Sequence, residues 1–373
     1  MGELITIHGD PTERGFAQGQ ILREKIWRGW STLENYGPLR RVKPPLIPMR
    51  MFLNLAGLWA KRQLAPTFAA FPHFAAFFEG ISEGAAISPL KLALIHYVEI
   101  AGSDAARQLM GCSSVAVVPP RSDEPILAKN FDFINDFLDF NILRKNLKVS
   151  GFASVEFTMA PMASSHTGFN EAGVALTYNY GYSKEPPQKG TLFTARVQEV
   201  LDTADNLDSA IRILRRKPNP EHGIITVVDA NGNAAAVELS PLGSAVVEPT
   251  DGVIFNANLY HHPSMQSRLI PFDAVYGEKA PEYMRGAKIQ ETNIIRTKRL
   301  EYLLSQHEKI DVETIKKIMG DHGEDGVPSE NTICRHHEHF STNLSAIILP
   351  KSRKMYYKWG TVCSPGEWEE ISL

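Results

Sequence analysis

The chain has 373 residues, 43% hydrophobic and 22% charged, with a formal net charge of -3. Such a length exceeds what one small core serves and permits two domains or one large layered domain, while the composition excludes a disordered or low-complexity protein. The slightly acidic balance offers no basic face for nucleic acid, and no stretch reaches the roughly 18 uninterrupted apolar residues that would suggest a membrane span.

The first 111 residues read as mainly helical. Asp10-Pro11 is a helix start, and Phe16, Ile21, Leu22, Ile26 and Trp27 follow near helical spacing toward Tyr36. Met49 to Leu64 mixes apolar residues with Arg50, Lys61 and Arg62, which fits packed core with a solvated basic edge better than a membrane-surface helix. Phe71 to Ala86 and Pro89 to Ala101 read as two further helices, with Gly80 and Gly84 allowing close packing. The start of the chain lacks the basic and apolar regions of a signal peptide. Ile371-Ser372-Leu373 lacks the lysine of a peroxisomal address.

At Cys112 the period changes to strands. Ser113 to Val118 and Ile126 to Asp132 are apolar runs joined by a proline-rich turn. His166 to Tyr180 reads as strand, turn, strand, and Thr191 to Arg216 as one long helix. Ala230-Asn231-Gly232-Asn233 is a hairpin turn between Ile224 to Asp229 and Ala234 to Leu239. Gly252 to Leu259, Ser345 to Leu349 and Met355 to Trp359 complete the strands, with helices near Asn293 to Gln306 and Val312 to Met319. Grouped strands with helices between them predict an α+β fold in which packed sheets are clad by helices.

Three cysteines (Cys112, Cys334, Cys363) are too few and too scattered for a disulfide framework or a CxxC metal site, and a reducing cytoplasm fits them best. The serine-hydrolase elbow, the HExxH helix and the phosphate-binding loop are all missing. Arg335-His336-His337-Glu338-His339 keeps neither helical nor strand ligand spacing throughout and is read, like His261-His262, as a solvated loop, so no metal is expected. A cysteine at the mouth of a strand is by itself most often a buried side chain. Pairing of Cys112 with one of the 12 histidines stays open on the residues alone. The alternative is a nucleophile that supplies its own base. If the Gly111-Cys112 peptide is cut, Cys112 gains an α-amino group of pKa about 7.7 to 8.0, able to take the thiol proton. Gly111 has no side chain to obstruct the sulfur.

Several segments, in order, carry a resemblance: Gly9 to Gly19, Glu79 to Ala85, Gly111-Cys112-Ser113-Ser114, Asn130-Phe131-Asp132, Gly168 to Gly173, Asp251 to Asn258, Asn293 to Leu300 and Thr332 to His336. Together they resemble the acyl-coenzyme A:6-aminopenicillanic acid acyltransferase (isopenicillin N acyltransferase) family of N-terminal nucleophile hydrolases, related to choloylglycine hydrolases. The resemblance implies a four-layer αββα sandwich with a helical N-terminal segment, and a precursor cut before Cys112 into an α chain (1–111) and a catalytic β chain (112–373). It implies Cys112 as processing and catalytic nucleophile, Asp132 holding its amino group, and Asn258 donating to the oxyanion. Arg296 then anchors the substrate or the site network, and Asn179 adds an oxyanion or pocket contact.

Lys129 stands where choloylglycine hydrolases carry arginine, which favours linear amides over bile salts. Ser113-Ser114 replaces the two threonines common in the acyltransferases. The expected substrate is a small amide or acyl compound, without a resident cofactor or metal. A coenzyme A thioester is allowed as acyl donor, although Arg40-Arg41 and Arg215-Arg216 read as solvated faces. An acyl-coenzyme A-dependent N-acyltransferase and a non-catalytic binding protein of the same fold are the alternatives. No oligomeric state follows.

Overall fold

The computed structural model describes residues 2–35, 40, 43–98, 111–278 and 280–373. Tyr36, Arg41, the end of the helix predicted to Ala101, and Gln108-Leu109-Met110 before Gly111 lie outside the described residues. The N-terminal part comprises strand β1 (Glu3–Gly9) and helices α1 (Pro11–Ile21), α2 (Arg23–Asn35), α3 (Met49–Ala70), α4 (Pro72–Gly84) and α5 (Pro89–Val98). Asp10 caps α1 through a reciprocal box, accepting from the Glu13 amide while the Glu13 carboxylate accepts from the Asp10 amide. Helices α1 and α4 meet backbone to backbone: a Cβ added at Gly15 would sit 2.1 Å from the Phe77 carbonyl oxygen, and one at Gly80 2.3 Å from that of Thr12. Only glycine permits that approach.

The remaining strands are β2 (Gly111–Val117), β3 (Ile126–Ile134), β4 (Asn141–Lys148), β5 (Ser154–Met159), β6 (Thr167–Asn170), β7 (Val174–Tyr180), β8 (Gly223–Asp229), β9 (Ala234–Ser240), β10 (Gly243–Val247), β11 (Val253–Asn256), β12 (Phe340–Leu349), β13 (Lys354–Trp359) and β14 (Glu369–Ser372). They form an eight-stranded sheet in the order β1-β4-β5-β6-β7-β8-β9-β10 and a six-stranded sheet in the order β11-β2-β3-β12-β13-β14. The helices of this part are α6 (Phe193–Thr203), α7 (Leu207–Leu214), the single turn α8 (Pro263–Gln266), α9 (Glu291–Ser305) and α10 (Val312–Met319).

Period-2 alternation sorts the side chains into layers. Cys112, Ala116, Leu127 and Phe131 from one sheet pack against Val155, Phe157, Ala175 and Ile224 from the other, forming the core between the sheets. Val115, Val117, Ile126 and Ala128 point the opposite way, onto Leu300 and Leu304 of α9 and Ile315 and Ile318 of α10. On the far side, Val174, Leu176, Ile225 and Val227 pack on Phe193, Val197 and Leu201 of α6 and Ile213 of α7. Helix, sheet, sheet and helix therefore make four layers, the αββα arrangement of an α+β fold.

One sequence expectation needs correction. The helix predicted over Thr191 to Arg216 is two helices, because Ala204 is extended and Asn206 starts α7 by accepting from the Ser209 amide. The N-terminal part is mainly helical, as expected, and adds one strand: β1 pairs in parallel with β4, Glu3 opposite Ile142 through Gly9 opposite Lys148. A buried polar cluster further ties the two parts. The Arg144 guanidinium donates to Glu156 at 2.7 Å, to Gln18 of α1 at 2.7 Å and to Gln198 of α6 at 2.9 Å. Arg14 of α1 donates to Asn146 at 2.6 Å.

Burial alone would raise the pKa of Glu156, yet Arg144 and Lys148, with hydrogen bonds from Ser154 and Gln198, hold it below the usual carboxylate range. A depressed folded-state pKa gives stability that is present above the unfolded value of about 4.3 and is lost as pH falls below it. Glu156→Gln should cost about 3 to 5 kcal/mol at neutral pH in urea unfolding, because it strands a buried arginine. Its stability should also fall less steeply than wild type on acidification below about pH 4.3; parallel pH profiles would refute the role given to this pair.

Candidate active site

Cys112 is the second residue of β2, opposite Phe131 of β3, and Gly111 is opposite Asp132. Alternation puts the Cys112 thiol between the sheets, where it is 5% exposed, and turns Ser113 and Asp132 toward α9. On its other edge β2 loses its backbone partner: β11 pairs as far as Asn256 opposite Ser114 and then ends. Asn258 has φ +71, a left-handed conformation that asparagine tolerates better than most residues. That turn brings its side chain into the vacated ladder position. Its Oδ1 accepts from the Cys112 backbone nitrogen at 3.0 Å, and its Nδ2 donates to the Tyr180 carbonyl at 2.8 Å.

Arg296, wholly buried on α9, holds the other backbone group of the same residue. It donates to the Cys112 carbonyl at 3.0 Å, the Ser113 hydroxyl at 3.1 Å, Asn258 Oδ1 at 3.1 Å and Asn293 Oδ1 at 2.9 Å. Two donors converge on Oδ1 and a carbonyl faces Nδ2, which fixes the Asn258 amide orientation. One N–H of that amide is used by Tyr180, and the second has no acceptor among the described residues.

Asp132 completes the cluster. Its Oδ1 accepts from the Thr342 hydroxyl at 2.8 Å. Its Oδ2 is buried and accepts no hydrogen bond among the described residues, with Arg296 Nη1 at 3.8 Å and Arg335 Nη1 at 3.7 Å. A Cβ at Gly111 would lie 2.1 Å from Arg335 Nη1 and 3.3 Å from Asp132 Oδ2. Gly111 is thus a close-approach glycine, and the orphaned oxygen lies beside the Gly111-Cys112 peptide. Asn179, on β7 of the facing sheet, donates to the Ser114 hydroxyl at 3.1 Å, while its Oδ1 is buried without a hydrogen-bond partner among the described residues.

Burial raises the Cys112 thiol pKa; Lys129 opposes this by charge and hydrogen bonding, and Asp132 adds to it by charge. Burial likewise raises Asp132 against the pull of Arg335 and Arg296. Arg296 is lowered to about 10 by burial and by Arg335, and so stays protonated at neutral pH. Lys129 donates to the Tyr178 carbonyl. One carboxylate among three cations leaves a positive surplus suited to a thiolate or an acyl oxyanion.

Sequence reasoning picked Gly111, Cys112, Asp132, Asn258 and Arg296, and the structure brings all five together. Asn179 stands one residue further, over Ser114. Arg335, Thr342 and Asn293 were missed as site residues. Register would have identified Thr342, which is opposite Asp132 on β12, but nothing local marks Arg335, whose sequence neighbours suggest a solvated loop.

Fold and site define the class: a layered αββα protein with a buried thiol at the start of a central strand, its backbone held by an asparagine and an arginine. The chain belongs to the acyl-coenzyme A:6-aminopenicillanic acid acyl-transferase family, whose profile matches residues 120–362. Membership places it in a family described by its acyl-transferase activity. A comparison with curated proteins gave no significant match. Among solved structures it is similar to a conjugated bile acid hydrolase variant from Clostridium perfringens, at 14% identity over 70% of this chain and 92% of that one, TM-score 0.42. It is also similar to the Caenorhabditis elegans N-acylethanolamine-hydrolyzing acid amidase ortholog, at 13% identity over 64% and 93%, TM-score 0.43. Penicillin V acylase from Agrobacterium tumefaciens gives 14% identity over 70% and 86%, TM-score 0.43.

Arg296→Lys cannot serve four acceptors in a fork. It should lower stability by about 2 to 4 kcal/mol, read by urea unfolding, since buried acceptors lose charged donors. An unchanged midpoint would show that the fork contributes nothing.

Proposed function

We propose that the chain is a self-processing cysteine amidohydrolase or acyltransferase that acts on linear N-acyl amides through a Cys112 thioester. The observation that carries the reading is the buried Asp132 Oδ2, which accepts no hydrogen bond among the described residues and lies beside the Gly111-Cys112 peptide, whose nitrogen is already held by Asn258. A buried carboxylate oxygen without a donor is costly, and an ammonium group formed at Cys112 would supply that donor.

In processing, the Cys112 sulfur attacks the Gly111 carbonyl carbon and the C–N bond breaks as the C–S bond forms, with the thiol proton passing to the departing nitrogen. Water then hydrolyses the thioester, leaving a Gly111 carboxylate, the Cys112 thiol and a free Cys112 amine. In turnover that amine, with a reference pKa of about 7.7 to 8.0, takes the thiol proton. The thiolate adds to the substrate carbonyl, and the oxyanion receives the second Asn258 amide N–H, a contribution of about 3 to 4 kcal/mol to the barrier in comparable sites. Collapse passes the proton to the leaving amine, and the acyl group on sulfur goes to water or to an acceptor amine. Asn179 borders the same space as a substrate contact. No histidine is needed: the charged groups acting on the thiol are Lys129 and Asp132.

Purified protein should give masses for 1–111 and 112–373 under denaturing conditions, and the two should co-elute natively as one assembly. Cys112→Ala should stay whole. Gly111→Ala and Asp132→Asn should slow cleavage, the first by displacing Arg335 and the second by removing the acceptor for the new ammonium. Wild type that stays intact while hydrolysing amides would sink the processing step. Absence of any acyl adduct on Cys112 after exposure to N-acyl amides and acyl thioesters would favour a binding protein.

A further inference from the structure

We infer that His322, Cys334, His336 and Cys363 form a structural zinc site that holds Arg335 against Asp132. The four side chains come from three segments: the turn after α10, the stretch leading into β12, and the turn after β13. Their potential ligand atoms all lie within 4.8 Å of one another. His336 Nε2 is 3.5 Å from Cys334 Sγ and 3.3 Å from Cys363 Sγ. Zinc bonds of about 2.3 Å to sulfur and about 2.0 to 2.1 Å to nitrogen at tetrahedral angles require nitrogen-to-sulfur edges of about 3.5 Å. The imidazoles of His322 and His336 stand 5.1 Å apart, edge to face, and the buried His322 Nε2 has no hydrogen-bond partner among the described residues. Two thiolates and two neutral imidazoles neutralise a divalent zinc ion and suit it better than hard cations.

Cys363 is exposed, which gives the metal an entry path, whereas Cys334 is wholly buried. The sequence expectation of a solvated loop fails for His336: its partners come from distant segments, which local ligand spacing does not register.

The consequence reaches the active site. Cys334 and His336 flank Arg335, and their side chains meet each other while the Arg335 side chain reaches another way. The ligands face the cluster while Arg335 faces Asp132, 3.7 Å away, with its guanidinium 4.5 Å from the Phe340 ring centre. Arg335 is therefore a positioning residue whose own backbone would be fixed by metal ligands on both sides.

The test uses full-length Cys112→Ala protein, so that the catalytic thiol contributes no signal. Metal analysis of protein purified without chelator should find about one zinc per chain. After chelation, cobalt(II) should restore binding with the intense visible bands of tetrahedral thiolate coordination. Adding Cys363→Ser, an exposed change that should leave the circular dichroism intact, should weaken cobalt affinity about 10-fold or more. Adding His322→Ala should do the same, which separates a four-ligand site from a thiol pair. Octahedral cobalt spectra, affinity indifferent to both variants, or a Cys334–Cys363 disulfide with no zinc after incubation under reducing conditions would each overturn the site. None of these readings depends on processing or amidase activity, so their failure leaves the proposed reaction untouched.

Discussion

The site depends on one carboxylate kept in the interior. Asp132 is wholly buried with two guanidiniums within 4 Å. Charges so placed cost several kcal/mol each to desolvate, and they persist only where geometry over-determines them. Here it does. Thr342 stands directly opposite Asp132 in the pairing of β12 with β3 and sets its hydroxyl on Asp132 Oδ1, and Arg296 is anchored independently by four other acceptors. Arg335 is held by the Glu330 carbonyl and by Phe340. With every neighbour fixed, Oδ2 is left without a hydrogen bond. A Cβ at Gly111 would displace the arginine that approaches this oxygen, because Arg335 Nη1 occupies its place.

The second constraint is the pleat of β2. Consecutive residues face opposite layers, so the thiol and the carboxylate cluster cannot share a side of the sheet. Cys112 bridges them through its backbone, with its nitrogen and carbonyl leaving the end of a ladder that β11 no longer supplies. Side chains satisfy both groups where a strand would otherwise do so. A peptide held in this way can change from amide to amine without dismantling a backbone ladder.

Layers and central strands were legible because alternation and hairpin turns are local. The Asn231-Gly232 turn between β8 and β9 follows from residues that tolerate positive φ, and Gly232 has φ +89. Strands β1, β4 and β5 were not legible, since β1 carries no alternation strong enough to stand alone and β4 and β5 follow the irregular Asn135–Phe140 turn. The break at Asn206 was hidden by apolar residues that keep helical spacing across it. For the site, Cys112, Asp132, Asn258 and Arg296 were reached through a family resemblance that orders distant segments. Composition alone would have left Arg296 on a solvated helix face. Arg335 and its flanking cluster escaped because their partners are remote in sequence.

The N-terminal part is joined to the rest by more than one peptide bond. Strand β1 pairs along seven positions with β4, and Arg144 reaches Gln18 from inside the sheet. Ile5 and Ile7 of β1 share one apolar cluster with Ile142, Ala160, Leu192 and Ala195 of the second part. Each well-buried aliphatic side chain contributes about 1.5 to 3 kcal/mol, while association of separate chains costs about 4 to 15 kcal/mol. A handful of such contacts with a strand ladder meets that cost. Cutting before Cys112 would therefore release a chain end without releasing the segment, and the cluster around Asp132 would feel the cut through Gly111 and Cys112.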